Sequence, residues 1–194
     1  MTRFTATAVP LLALVLAFVA GVPARGQVLC QTEADDVAAL AAFDRAVTSY
    51  LEMHRRLDAG FMSHWFAADP EADAVASSRL ADAIRFERRD AARGDIFTPE
   101  VADFFRVRLM TAARAGDLPA AELRGPDEGA GLCVPLPDVN ARVSWATGVR
   151  IDETLAHALP ALPLELEYRL TAGALVLVDV SANLVVDVLV DALP

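Results

Sequence analysis

The stretch that most constrains this chain is its C-terminal run, Leu164 to Leu193, which is strongly apolar and carries a period-two pattern. In Leu164-Glu165-Leu166-Glu167-Tyr168-Arg169-Leu170, the leucines and the tyrosine share one face and Glu165, Glu167 and Arg169 the other. Successive strand side chains leave opposite faces of the pleat, so this alternation predicts a half-buried strand. Ala172-Gly173 supplies a tight turn. Ala174 to Val180 is apolar up to Asp179 and rich in valine, the pattern of a strand covered on both faces. Ser181-Ala182-Asn183 breaks it, with Asp179 and Asn183 as turn formers. Leu184 to Val190 also has the apolar spacing of a short helix, but its four valines favour a third strand. These three runs predict an antiparallel β-meander.

Upstream the apolar period changes to that of a helix. Gln31 to Asp58 carries Leu40, Phe43, Val47, Tyr50, His54 and Leu57 at spacings of three and four, with Thr32 and Asp35 as a capping pattern. A second helix is expected from Pro70 to Arg93, stopped by Gly94, with Ala76, Leu80, Ala83, Ile84 and Ala91 on its apolar face and Glu87 among them. Thr98 as N-cap and Pro99 at the first helical position announce a third, which buries Val101, Phe104, Phe105 and Leu109 and closes at Gly116. Asp152 caps a short fourth helix through Leu159, ended by Pro160. Helices followed by strands, rather than alternating with them, give an α+β class: three long helices and one short, packed against a C-terminal three-stranded antiparallel meander.

The N-terminal 26 residues read as a cleavable signal peptide, with Arg3 as the charged region, Leu11 to Ala20 as the apolar region and Ala24-Arg25-Gly26 as the cleavage site. Residues 27–194 then form a single globular domain with no further membrane-spanning helix, because the C-terminal apolar run contains Asp179, Asp187 and Asp191. The formal charge is −10, and loss of Arg3 and Arg25 makes the processed chain more acidic still. Such a chain repels phosphate backbones, which argues against nucleic acid as a partner. Cys30 and Cys133 are the two cysteines, an even pair that in an exported chain predicts a structural disulfide. In the chain-entropy model, closing so long a loop contributes roughly 4 to 5 kcal/mol.

Catalytic patterns are missing: there is no G-x-S-x-G, Walker motif, G-x-G-x-x-G or H-E-x-x-H. Two candidates rest on helical faces. His54 and Glu87 would meet if the first two helices packed antiparallel, and an imidazole and a carboxylate in a partly dry setting could do acid/base work or simply satisfy each other. Phe61, Met62, His64, Trp65 and Phe66 lie outside the periodic helices and form an apolar-aromatic connector, either folded over the core or presented as a binding patch. His54, His64, His157 and Asp69 lack metal-ligand spacing, so neither metal nor cofactor is expected. Arg85, Arg89 and Arg93 recur every four residues, with Asp82 and Asp90 nearby to pair with them.

Two short segments, Gly94-Asp95-Ile96-Phe97-Thr98-Pro99 and Ala182-Asn183-Leu184-Val185-Val186-Asp187, resemble stretches of uncharacterised secreted bacterial proteins with no assigned function. The resemblance implies export, periplasmic or secreted, and no particular activity. The sequence is therefore read as an exported, non-enzymatic domain binding a protein or small ligand; the alternative is a hydrolase with its site at His54 and Glu87.

Overall fold

The computed structural model describes residues 25–59, 70–118, 135–143 and 148–193, with backbone alone for 25–32 and 70. The architecture is α+β. Helices α1 (Arg25–Asp58), α2 (Pro70–Glu87), α3 (Pro99–Ala115) and α4 (Glu153–Ala156) accompany strands β1 (Val149–Arg150), β2 (Leu166–Thr171), β3 (Ala174–Asp179) and β4 (Leu184–Leu189). The strands form one antiparallel sheet in the order β1-β2-β3-β4. The expected meander is β2-β3-β4, and β1 adds a fourth strand through the pairs Val149 with Leu170 and Arg150 with Arg169. Two exposed residues carry no alternation, which is why this strand left no trace in the sequence pattern.

The turn between β2 and β3 is the two-residue Ala172-Gly173, with φ of 47° and 73°. Positive φ at both positions is the geometry whose twist matches that of the flanking strands. Glycine is favoured at the second: a Cβ there would stand 3.1 Å from the Leu193 carbonyl oxygen, at a φ that side chains rarely adopt.

Each face of the sheet has its own core. Leu166, Tyr168, Leu170, Leu175, Leu177, Leu184, Val186 and Leu189 face the helices and join Phe43, Val47, Leu80, Ile84, Val101, Phe105 and Leu109. Phe105 is central, its ring 4.9 Å from Phe43, 5.4 Å from Phe97 and 6.1 Å from Tyr168. Ala174, Val176, Val178, Val185 and Val188 form the opposite face, against Leu136, Ala141 and Val143. All six residues of β3 and of β4 are buried, the two-sided burial that their continuous valine-rich runs imply.

A β-bulge interrupts the β3–β4 pairing. Leu177 pairs with Asp187 but Val178 with Val185, so Val186 has no partner of its own. The extra residue switches the alternation of β4: Leu184 and Val186 face the helices before it, Leu189 after it, while Val188 turns to the opposite face.

The outer edge of β4 is engaged at both ends and at its bulge. Asn140 to Val143 bonds it at Asn183 and Val185, Arg88 reaches the Val186 carbonyl at 3.0 Å, and Arg106 reaches those of Val190 and Asp191, each at 3.2 Å.

Several local expectations need correcting. α1 begins at Arg25, so Thr32 and Asp35 lie inside the helix rather than capping it. Leu40 is exposed and Leu57 only partly buried, while Ala39 and Leu51 join the buried stripe. α2 ends at Glu87, not Arg93. The Arg88 carbonyl there takes the Asn140 side-chain amide at 2.7 Å and its guanidinium turns to β4, and Ala91 closes a tighter turn onto the same carbonyl. Leu164 is 97% exposed, because β2 starts only at Leu166. α4 stops at Ala156, although Asp152 caps it by accepting the Thr154 N–H at 2.7 Å. α3 follows its expected signals, with Thr98 accepting from the Val101 N–H and Val101, Phe104, Phe105 and Leu109 buried.

No helix among the described residues is long and apolar enough to cross a membrane.

Candidate functional site

On β3 the helix-facing positions are Leu175, Leu177 and then Asp179, so strand alternation carries a carboxylate into an apolar layer. Asp179 is fully buried and pairs with Leu166 and Leu184, both core residues. A charge in such a place requires partners. α1 provides two. Tyr50 and His54 lie one turn apart on its buried stripe; the Tyr50 hydroxyl donates to Asp179 Oδ2 at 2.7 Å, and His54 Nδ1 lies 2.6 Å from the same oxygen. The other oxygen, Oδ1, accepts the Ala182 N–H at 2.8 Å and so pins the turn between β3 and β4. Asp179 is thus a turn former, as expected, and also the centre of a buried cluster.

The electrostatics follow from burial. Burial alone would push the His54 pKa down, but the hydrogen bond and charge of Asp179, joined by Asp58 and Glu165, outweigh it and hold it above its ordinary value. Burial, then the charge and hydrogen bond of Asp179, push the Tyr50 hydroxyl up, against the opposing charge of Arg88. Tyr50 therefore remains a donor. The Arg88 guanidinium lies 5.2 Å from the Tyr50 ring centroid, and Arg55, exposed on α1, pairs with Glu165 at 2.8 Å.

A second buried carboxylate sits on the same side of the sheet. The bulge leaves Asp187 opposite Leu177 and facing the loop before α3. Its oxygens accept the N–H groups of Gly94 at 2.9 Å, Ile96 at 2.8 Å and Phe97 at 2.8 Å, and that of Val188 on its own strand at 2.8 Å. Gly94 has φ of +92°, a conformation that glycine adopts without strain. The two segments that resemble secreted proteins, 94–99 and 182–187, are thus hydrogen-bonded to each other.

Beside the His54 cluster lies a cleft of about 510 Å³. Asp58 at the end of α1, Asp73, Ser77, Ser78 and Leu80 of α2, and Arg142 line it, and Val180, Ser181 and Asn183 of the β3–β4 turn complete its wall. Asp58 is one helical turn from His54, and Val180 follows Asp179 directly. The cleft and the buried cluster therefore share a wall.

The sequence candidates are distributed differently from expectation. His54 is 2% exposed and faces Asp179, not Glu87. Glu87 is on the surface, 3.3 Å from Arg56. The pairing proposed between them is replaced because the core-facing turn of α1 looks onto the sheet, not onto α2. Phe61, Met62, His64, Trp65 and Phe66 lie outside the described residues, as do Asp69 and Cys133; of Cys30 only the backbone is described, so the disulfide falls outside as well. His157 is exposed, 3.5 Å from Glu153. Among the described residues no group of three or more His, Cys, Asp or Glu side chains comes together as a metal site. Arg85 pairs with Asp82, Arg89 with Asp90 and Arg93 with Asp138, the ion-paired face anticipated for the first two. What sequence reasoning missed is Asp179 as a partner of His54. The available signal was its parity, since an aspartate two residues beyond Leu177 must face the core if that leucine does.

Comparison with protein-family models, with curated proteins and with solved structures finds no match to this chain.

Proposed function

We propose that this protein is an exported, non-enzymatic domain that binds a small polar ligand in the cleft between α1, α2 and the β3–β4 turn. The observation that carries this reading is the cleft itself: two carboxylates, an arginine, three serines and an asparagine converge on a concavity built from packed elements. Its volume falls within the usual range for small-molecule sites, roughly 300 to 1,000 Å³. The hydrolase alternative is less well supported, because His54 is sealed against Asp179 and Glu87 is engaged at the surface by Arg56. A general base must come within hydrogen-bond reach of the proton it takes. The leader over residues 1–26 supports export, periplasmic or beyond.

A thermal-shift panel of amines, amino acids and sugars on the purified protein tests the proposal. One chemical class should raise the melting temperature, and a ligand at a hundred times its Kd should add about 2.7 kcal/mol. Asp73→Asn and Ser77→Ala should remove the shift. A panel with no response, or one whose response is unchanged in both variants, would count against the cleft. The aromatic connector from Phe61 to Phe66 is a proposed protein-contact surface, supported by its composition. Identical crosslinked partners for the wild type and for Trp65→Ala would remove it.

A further inference from the structure

We propose that His54 is a proton-responsive element behind the cleft, whose ionisation is transmitted to the cleft wall through Asp179 and Asp58. The ligand consequence rests on reading the cleft as the binding site, whereas the coupling itself does not. Two short routes connect the imidazole to the wall. Through Asp179, one carboxylate oxygen takes His54 and Tyr50 while the other holds the Ala182 N–H, and the residues flanking Ala182 line the cleft. Through α1, Asp58 stands one turn beyond His54 and reaches the same cleft.

Among the described residues, the groups facing His54 come from α1, β3 and the segment entering β2, with Arg88 beyond α2. Tyr50 and Asp58 belong to α1, Asp179 to β3, and Glu165 to the segment entering β2, where Arg55 holds it. Arg88, just beyond α2, acts on the cluster from over the Tyr50 ring. When protonated, the imidazolium balances the Asp179 carboxylate. When neutral, the ring can still donate from Nδ1, so the hydrogen bond survives while the positive charge is lost. Asp179 then acts together with Asp58 on the cleft, and the wall becomes more negative. By linkage, a cation in the cleft favours neutral His54 and an anion favours the protonated form, each to the extent that His54 alters its affinity.

The experiment is an NMR titration of the ligand-free protein between about pH 5 and 9, following the histidine rings and the amides of Ser181, Ala182 and Asn183. His54 should titrate with a midpoint above the ordinary histidine value of 6.5, and the three amides should inflect at that midpoint. Asp58→Asn should lower the His54 midpoint, because the Asp58 charge helps to raise it. Turn amides without an inflection at the His54 midpoint, or a His54 midpoint unmoved by Asp58→Asn, would overturn the proposal. If the substitution unfolds the protein, the wild-type amides alone decide. Because no ligand is present, a failed ligand screen leaves this result intact, and a failed titration leaves the cleft reading intact.

Discussion

Asp179 and Asp187 are both fully buried, both on the helix-facing side of the sheet, and both hydrogen-bonded through each oxygen. Their donors differ in kind. Asp187 is held by four backbone N–H groups, three from the loop that leads into α3 and one from its own strand. None of these can gain or lose a proton in the working pH range, so the site is a fixed staple between loop and sheet. Asp179 takes a phenol, an imidazole and a single backbone N–H. Two of its three partners are side chains on α1, and one of them, the imidazole, can gain or lose a proton. Burying the same functional group in the same layer thus yields a permanent fastening in one place and a chemically adjustable one in the other.

Breaking the fixed site should have the largest effect. Asp187→Ala leaves three loop N–H groups in a buried setting without their acceptor, and should lower stability by about 3 to 5 kcal/mol, read from the urea midpoint. That loss should be the same at every pH between about 6 and 9, where backbone amides do not titrate. Asp179→Asn should lower stability by about 2 to 3 kcal/mol, and unlike the first loss it should vary with pH. The sign follows from the His54 pKa being raised above its value of 6.5 in the unfolded chain. The folded state holds that proton more tightly, so its contribution is complete below about pH 6.5 and declines as pH rises through the folded pKa. Wild-type urea midpoints should fall over that interval, and Asp179→Asn should flatten the fall. A wild type with no such decline would erase the contrast between the two carboxylates. Tyr50→Phe removes one neutral donor and should lower stability by about 1 to 2 kcal/mol, while raising the His54 midpoint as Asp179 comes to depend more on the imidazolium. Thr98→Ala, a capping loss beside the Asp187 loop, should lower stability by about 0.5 to 1 kcal/mol and leave the His54 titration unchanged.

The parts of this fold that were legible in the sequence are those written in periodicity and local chemistry. The valine-rich runs, the Ala172-Gly173 turn and the Thr98-Pro99 helix start each depend on a few adjacent residues. Strand β1 was invisible because two exposed residues carry no pattern. The early end of α2 was invisible because Asn140, fifty-two positions away, decides it by taking the Arg88 carbonyl. His54 was legible as a polar residue on an apolar stripe, but its partner was not. Glu87 was the nearest carboxylate by helix pattern, whereas the true contact spans 125 positions and depends on which face of β3 meets α1. The bulge at Val186 had no sequence marker, and it alone explains why Asp187 faces the same way as its neighbour.

The engaged edge of β4 has a consequence for how copies of this chain meet one another. A free strand edge is a template on which another chain can add a strand and begin to aggregate. Here Arg88 and Arg106 hold the carbonyl groups of Val186, Val190 and Asp191, and the Asn140 to Val143 segment engages Asn183 and Val185. On the opposite side β1 pairs with Arg169 and Leu170, and the start of β2, Leu166 to Tyr168, has no strand paired with it among the described residues. Among the described residues, a sheet with two strands buried on both faces is thereby engaged along much of one edge, and a second copy is left chiefly the short stretch at the start of β2 on which to add a strand.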